Sequence, residues 1–204
     1  MHNEISFRPY NPSDFDAVQD IIRKTWGYDD LVRPDLAELY ARIDLLQALL
    51  TVSFSSLAIR DGQVIGFIFG NLRREPEHPE TAHQLEKARR ALRKCGLIYS
   101  ALYPLQDALN TRLLRKAGRD YPAELSFFAL TEDARGLGIG RTLFQSFTAF
   151  LREASVPCFY LKTDSRCNYG FYDHLGLTRR VRKRMGLPGV KALQFEFYLY
   201  DNLP

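Results

Sequence analysis

Glu124-Leu-Ser-Phe-Phe-Ala-Leu-Thr-Glu-Asp-Ala-Arg135-Gly-Leu-Gly138-Ile-Gly140-Arg141 is the stretch whose reading decides the fold. Residues 124–130 are almost wholly apolar, which predicts a strand buried on both faces and central in its sheet. A glycine-rich turn follows, and a helix is predicted over 138–154, with Leu143, Phe147, Phe150 and Leu151 facing inward. The physics of such a junction is anion binding. The first N–H groups of a helix have no partner within it, and its dipole places partial positive charge there. Glycines let a pyrophosphate approach the backbone closely, and Arg135 and Arg141 add charge. The spacing is R-x-x-G-x-G. It is neither the GxxxxGK[ST] phosphate loop nor the dinucleotide fingerprint GxGxxG.

Working outward, residues 5–8 read as a short strand. Ser13 is the expected cap of a first helix carrying Phe15, Val18, Ile22 and Trp26, with Asp14 and Asp16 in its first turn. A second helix starts at Pro34 and bears Leu36, Leu39, Ile43, Leu46 and Leu50. Strands at 56–60 and 63–72 flank Asp61-Gly62, a type I′ hairpin signal. Residues 73–122 differ in kind. Leu85, Ala88, Leu92 and Cys95 form one helical stripe before Gly96. Leu105, Ala108, Leu109 and Leu113 form another between Pro104 and Gly118. These stripes need a surface to cover, so the segment reads as a helical excursion. After the central helix come a buried strand at 158–163, a short helix at 168–175 stopped by Gly176, and a final hairpin of 179–185 with 190–200 around residues 186–189. The order β-α-α-β-β-(helical insert)-β-α-β-α-β-β is mixed α/β and not doubly wound.

The chain of 204 residues suits one domain, and a hydrophobic fraction of 46% excludes overall disorder. No apolar run approaches the roughly 20 residues that span a bilayer. The N-terminus lacks a basic and apolar leader, so no secretory signal is expected. Three cysteines (Cys95, Cys158, Cys167) without a CxxC spacing argue against a disulfide framework or a thiolate metal site. His78 and His83, five apart, miss the helical ligand spacing. Reduced thiols fit a cytoplasmic protein. The net charge is +4, concentrated in residues 73–122 (eleven Lys/Arg against six Asp/Glu) and in 174–195 (six basic residues, no acid). Such patches attract phosphates of any kind. The basic strand at 179–184 reads as a solvated edge that resists pairing between molecules.

Arg135-x-x-Gly138-x-Gly140 after an apolar strand resembles the acyl-CoA-binding motif of the GNAT superfamily of N-acetyltransferases. Asn168-Tyr-Gly-Phe-Tyr172-Asp-His-Leu-Gly-Leu177 is similar to the family's later FYxxLGF element, with Leu in place of the last Phe. Phe7-Arg-Pro-Tyr-x-Pro-Ser-Asp-Phe15 looks like its opening strand and helix. The likeness covers the chain except about residues 73–122. It implies one acetyltransferase domain over 1–204 with a helical insertion at 73–122. The implied fold is a mixed, mostly antiparallel sheet flanked by helices and splayed between the strands at 124–130 and 158–163.

The resemblance also implies roles. The backbone of Phe128, Ala129 and Leu130 would pair with the pantetheine arm of acetyl-CoA. Amides of Arg135, Gly136, Leu137, Gly138, Ile139, Gly140 and Arg141 would hold its pyrophosphate. An N–H near Leu130 would serve the oxyanion. Tyr172 matches the tyrosine that protonates the departing thiolate, a sensible pairing for a thiol of pKa about 8.5. Glu124, eleven residues before Arg135, stands at the offset of the catalytic glutamate of the histone-acetylating branch. It would take a proton from the attacking amine. Many members carry an Asn seven residues before the tyrosine. Ser165 stands there in this chain, and Asn168, four before it, is the candidate cofactor contact. No metal is implied.

The expected reaction is acetyl transfer from acetyl-CoA to a primary amine, by direct attack in a ternary complex. The acceptor is a small-molecule or peptide amine, with no membrane or nucleic-acid partner, and the insertion offers a surface for a homodimer. The alternative is a non-catalytic CoA-sensing or nucleic-acid-binding module on the same fold. Cys167 reads as a small, half-buried thiol, not a nucleophile.

Overall fold

The computed structural model describes residues 4–73, 78–96, 102–185 and 195–203. Seven strands form one sheet: β1 (Ile5–Arg8), β2 (Phe54–Arg60), β3 (Gln63–Leu72), β4 (Ala123–Leu130), β5 (Phe159–Asp164), β6 (Thr178–Met185) and β7 (Phe195–Asp201). Their order is β1-β2-β3-β4-β5-β7-β6, so β4 is central as expected. Every pairing is antiparallel except β4 with β5. The hairpin turn has positive φ at both Asp61 and Gly62 (51° and 77°), as type I′ requires. The turn expected at 186–189, and the start of the last strand at 190–194, lie outside the described residues.

Among the described residues, seven helices dress the two faces: α1 (Phe15–Thr25), α2 (Tyr28–Leu31), α3 (Pro34–Leu50), α4 (Pro79–Cys95), α5 (Leu102–Ala117), α6 (Ile139–Glu153) and α7 (Gly170–His174). On one face α6 buries Leu143, Phe147 and Leu151 against Ile68, Leu125, Phe159 and Leu161. On the other, α1 and α3 cover Leu57, Phe67, Phe69 and Ala129. Helix α3 is apolar on two sides because it is sandwiched. Ala41, Leu45, Ala48 and Leu49 face the sheet. Leu36, Tyr40, Ile43 and Leu46 meet Leu85, Ala88 and Leu92 of α4. Helix α5 lies on this second face over β6 and β7, with Leu109 and Leu113 against Val181 and Leu199.

Some local expectations change. Asn11, not Ser13, is the cap. Its side chain accepts from Ser13 N–H, and the Asp14 carboxylate returns a bond from Asn11 N–H, in front of a single 3-10 turn (Pro12–Asp14). Asp14 is buried because it also takes both arms of the Arg8 guanidinium, each at 2.7 Å, which pulls its carboxyl below the ordinary range. Trp26 lies just past α1 and stacks on Phe127 at 4.8 Å. The one-turn helix α2 had no periodicity to announce it. In α5, Leu109 and Leu113 are buried while Ala108 is exposed, and the Leu105 side chain lies outside the described residues.

Candidate active site

Strands β4 and β5 pair only at Ala123↔Phe159, Glu124↔Tyr160 and Leu125↔Leu161. Beyond that rung β4 continues to Leu130 along β3, and β5 continues to Asp164 along β7. The sheet therefore forks. Where it does, β4 carries a bulge. Phe69 opposes Phe127 but Gly70 opposes Leu125, so Ser126 is the extra residue. Its hydroxyl donates to Phe69 O at 3.2 Å. The bulge resets the alternation of β4. Leu125, Phe128 and Leu130 pack toward α6, and Phe127 and Ala129 toward α1 and α3. Past Leu125, the β5 side of β4 has no strand partner among the described residues. Phe128, Ala129 and Leu130 lie on that open edge, the geometry by which an extended chain adds to a sheet.

At the far end of β4 a single 3-10 turn (Glu132–Ala134) leads to Arg135, Gly136 and Leu137, all exposed. Gly138 caps α6 with φ +78°, and no side chain bonds its free amides. A Cβ at Gly136 or Gly138 would meet nothing within 4 Å. The positive φ at both, not crowding, is what demands glycine there. Ile139 and Gly140 are buried, and Arg141 is exposed. A Cβ on Gly140 would lie 3.4 Å from Leu130 Cδ1 and 3.5 Å from both Phe128 Cζ and Phe171 Cε2. Open amides at a helix start, beside a strand with a free edge, fit an extended ligand ending in a pyrophosphate.

Tyr172 sits on α7, across the fork from β4. It is half-buried, 5.6 Å from the Phe171 ring and 5.7 Å from the Tyr200 ring. Burial, and then the nearby Cys167 sulfur, push its phenol well above the ordinary range. Burial likewise raises the Cys167 thiol, which keeps it a thiol and a poor nucleophile. Asn168 is exposed at the head of α7. Ser165, at the position where the family's asparagine would stand, is engaged elsewhere. Its hydroxyl accepts from Glu196 N–H at 3.0 Å and its N–H donates to Glu196 O at 2.9 Å.

Glu124 lies one rung behind the fork, on the face away from α6. Its Oε2 accepts from the Tyr160 hydroxyl at 2.8 Å, and its Oε1 meets Lys162 Nζ at 2.9 Å. Lys162 stands one residue beyond the last β4–β5 rung, so this ion pair bridges the fork. The structure does not join Glu124 to Tyr172, since no hydrogen bond or ring contact links them among the described residues. Glu124 instead borders a cavity of about 510 Å³ lined by Thr51, Asn71, Tyr160 and the C-terminal end of α5. None of these residues stood out in the sequence. They are single polar residues far apart in the chain, without a spacing that marks them.

A second unannounced feature is Asp44 of α3. Tyr28 of α2 and Tyr103 of α5 both donate to it, the latter at 3.1 Å, and Tyr103 also reaches Tyr40 O at 3.3 Å. Burial pushes the Asp44 carboxyl up to about 6, against the lowering effect of the two phenols. The cluster ties the 73–122 segment to the first helices. The basic strand β6 is the sheet edge, as expected, and much of its charge is spoken for. Arg179 bonds Tyr200 and Asp173, Arg180 bonds Asp201, and Arg182 bonds Glu196. No helix among the described residues is long and apolar enough to cross a membrane.

Comparison with known proteins agrees with this geometry. No curated protein matches the chain. Among solved structures, the ribosomal-protein-S18-alanine N-acetyltransferase of Escherichia coli superposes with a TM-score of 0.56 at 11% identity, over 97% of this chain and 92% of that one. NAA60 of Arabidopsis thaliana, solved with a bisubstrate analogue, gives 0.56 at 19%, over 97% of each chain. A GNAT family acetyltransferase of Brucella melitensis, solved with acetyl-CoA, gives 0.51 at 16%, over 100% of this chain and 91% of that one. At such identities the likeness speaks for the fold. The family model described as "Acetyltransferase (GNAT) family" matches residues 15–177. With that match spanning most of its length, and the forked sheet and glycine turn in place, the chain belongs to the GNAT family of acetyltransferases.

Proposed function

We propose that this protein transfers an acetyl group from acetyl-CoA to the nitrogen of a primary amine, as one domain in which residues 73–122 are an insertion that shapes the acceptor side. The observation that carries the proposal is the fork. Pairing of β4 with β5 stops at Leu125↔Leu161, and its open edge leads to the free amides before α6. The complexes of the Brucella acetyltransferase with acetyl-CoA and of the Thermoplasma acidophilum N-acetyltransferase with coenzyme A support the choice of ligand.

The roles follow from position. Amides of residues 135–141, with the Arg135 and Arg141 side chains, hold the pyrophosphate. The free edge at Phe128, Ala129 and Leu130 takes the pantetheine arm in extended form, and Asn168 stands at the head of α7 for a further contact. The bound thioester supplies the acyl group: a C–N bond forms, the C–S bond breaks, and the amine sheds two protons as the sulfur gains one. Glu124 accepts the proton that an alkylammonium must lose before it can attack, since its carboxylate retains acceptor capacity beyond Tyr160 and Lys162. Tyr172, whose raised pKa keeps it protonated at neutral pH, donates to the sulfur. A backbone N–H near Leu130 faces the oxyanion. The protein acts in the cytoplasm. The test is a thermal melt with acetyl-CoA together with CoA release in the presence of amines. Stabilisation by about 2.7 kcal/mol at 100 times the dissociation constant, and amine-dependent CoA release, are expected. A melt that acetyl-CoA leaves unmoved would overturn the proposal.

A further inference from the structure

The cavity over Glu124 carries a charge pattern that narrows the acceptor. Its volume of about 510 Å³ falls in the range of small-ligand sites, about 300–1,000 Å³. It opens on the face opposite α6, against the rung next to the fork, so an amine lodged there would approach the split strands from the side away from the glycine turn. Two groups on its wall are built for a nitrogen donor. Glu124 is one. The other is Asn71, whose amide donates from Nδ2 to Thr51 Oγ1 at 3.0 Å while its Oδ1 is buried with no partner. A buried acceptor left unpaired is costly, so a small turn of this wall residue toward an ammonium N–H in the cavity would be favoured.

The remaining charges point to a second group on the ligand. The two carboxylates at the cavity are already neutralised, Glu124 by Lys162 and Asp120 by Arg73. Arg115 and Arg119, on the last turn of α5 and just beyond it, also line the cavity, and neither forms an ion pair among the described residues. The wall therefore holds an excess of two guanidiniums. A polyamine brought here would face uncompensated like charge. An amine bearing anionic oxygens would meet forks matched to carboxylate or phosphate.

We infer that the acceptor is a primary amine that also carries a carboxylate or a phosphate, its nitrogen toward Glu124 and Asn71 and its anionic group toward Arg115 and Arg119. The inference rests on the transferase reading and deepens it by naming the acceptor class. The substrate is zwitterionic at neutral pH. The 73–122 segment becomes the element that selects it, because both arginines belong to that segment.

The experiment measures kcat/KM by CoA release for 2-aminoethyl phosphate, β-alanine, n-butylamine and 1,4-diaminobutane. It uses the wild-type chain and the double variant Arg115→Glu, Arg119→Glu, with acetyl-CoA binding followed separately by thermal melts. Both arginines are exposed, so the variant should fold, and its melt in buffer checks that. In the wild type the anionic amines should be preferred over the diamine at least tenfold, the better of the two telling phosphate from carboxylate. In the double variant that ratio should fall at least a hundredfold, mainly through KM, with the acetyl-CoA melt shift preserved. A wild type that prefers 1,4-diaminobutane or n-butylamine, acetylates none of the four, or keeps its preference after charge reversal would overturn the inference while leaving acetyl-CoA binding intact. Absence of an acetyl-CoA melt shift in the wild type would instead defeat the transferase reading, and the inference with it.

Discussion

The two sides of the fork are built in opposite ways. The glycine-turn side is one continuous stretch, residues 124–141, whose working parts are mostly backbone: a strand edge and the free amides of a helix start. The cavity side is assembled from the end of α3, the end of β3, the end of α5 and β5, and its working parts are side chains. Backbone groups serve any sequence that keeps the turn, so this side suits a common ligand. Side chains borrowed from distant segments change one at a time, so that side suits a particular one.

Substitutions on each side should therefore fail differently. The largest effect is expected from Gly138→Trp. A non-glycine residue at φ +78° is strained, and the indole would cover the amides, so the acetyl-CoA melt shift should vanish at concentrations that saturate the wild type. A retained shift would break the comparison, because the ligand would then not need the turn. Tyr172→Phe comes next. It removes only a hydroxyl, and kcat should fall about 10³-fold, within the span for general acids, with acetyl-CoA affinity unchanged. Equal rates in the two proteins would take the acid role away from Tyr172.

Glu124→Gln should lower kcat/KM about 10²-fold at pH 7. The deficit should narrow as the pH climbs toward the amine's own pKa, near 10, because solvent then removes the proton. A deficit that stays flat with pH would make Glu124 a positioning group for Lys162 and Tyr160. The smallest effect concerns how the 73–122 segment is tied down. The Asp44 carboxyl is raised to about 6 in the folded chain, so the native state binds the extra proton, and stability falls as pH rises from about 4 through 6 and levels off once both states are deprotonated. Between pH 5 and 7 that loss is about 1 kcal/mol, or about 2–4 °C in melting temperature. Asp44→Asn should remove this slope, and a slope that persists in the variant would place its origin elsewhere.

Much of the turn side is legible in the residues because its logic is local. An apolar run, two glycines and a helical stripe lie next to one another, and each dictates its own conformation. The hairpin at Asp61-Gly62 and the helix starting at Pro34 are legible for the same reason. Elements whose logic is not local are hidden. Asn11 displaces Ser13 as the cap because Asp14 is pulled in by Arg8 from the preceding strand. Helix α2 is one turn long and has no room for a period. Ser126 does not look like a bulge in sequence, since the extra residue exists only relative to β3.

By itself, the sequence determined the order of the strands and longer helices, the central place of β4, and a glycine turn that opens a helix. Those properties depend on neighbours along the chain, on turn chemistry and on apolar period. Tertiary structure alone decided where β4 and β5 part, that Lys162 and Tyr160 hold Glu124, and that Asn71 and the arginines of α5 share one cavity. These depend on contacts between segments tens of residues apart, which packing establishes and no local pattern encodes.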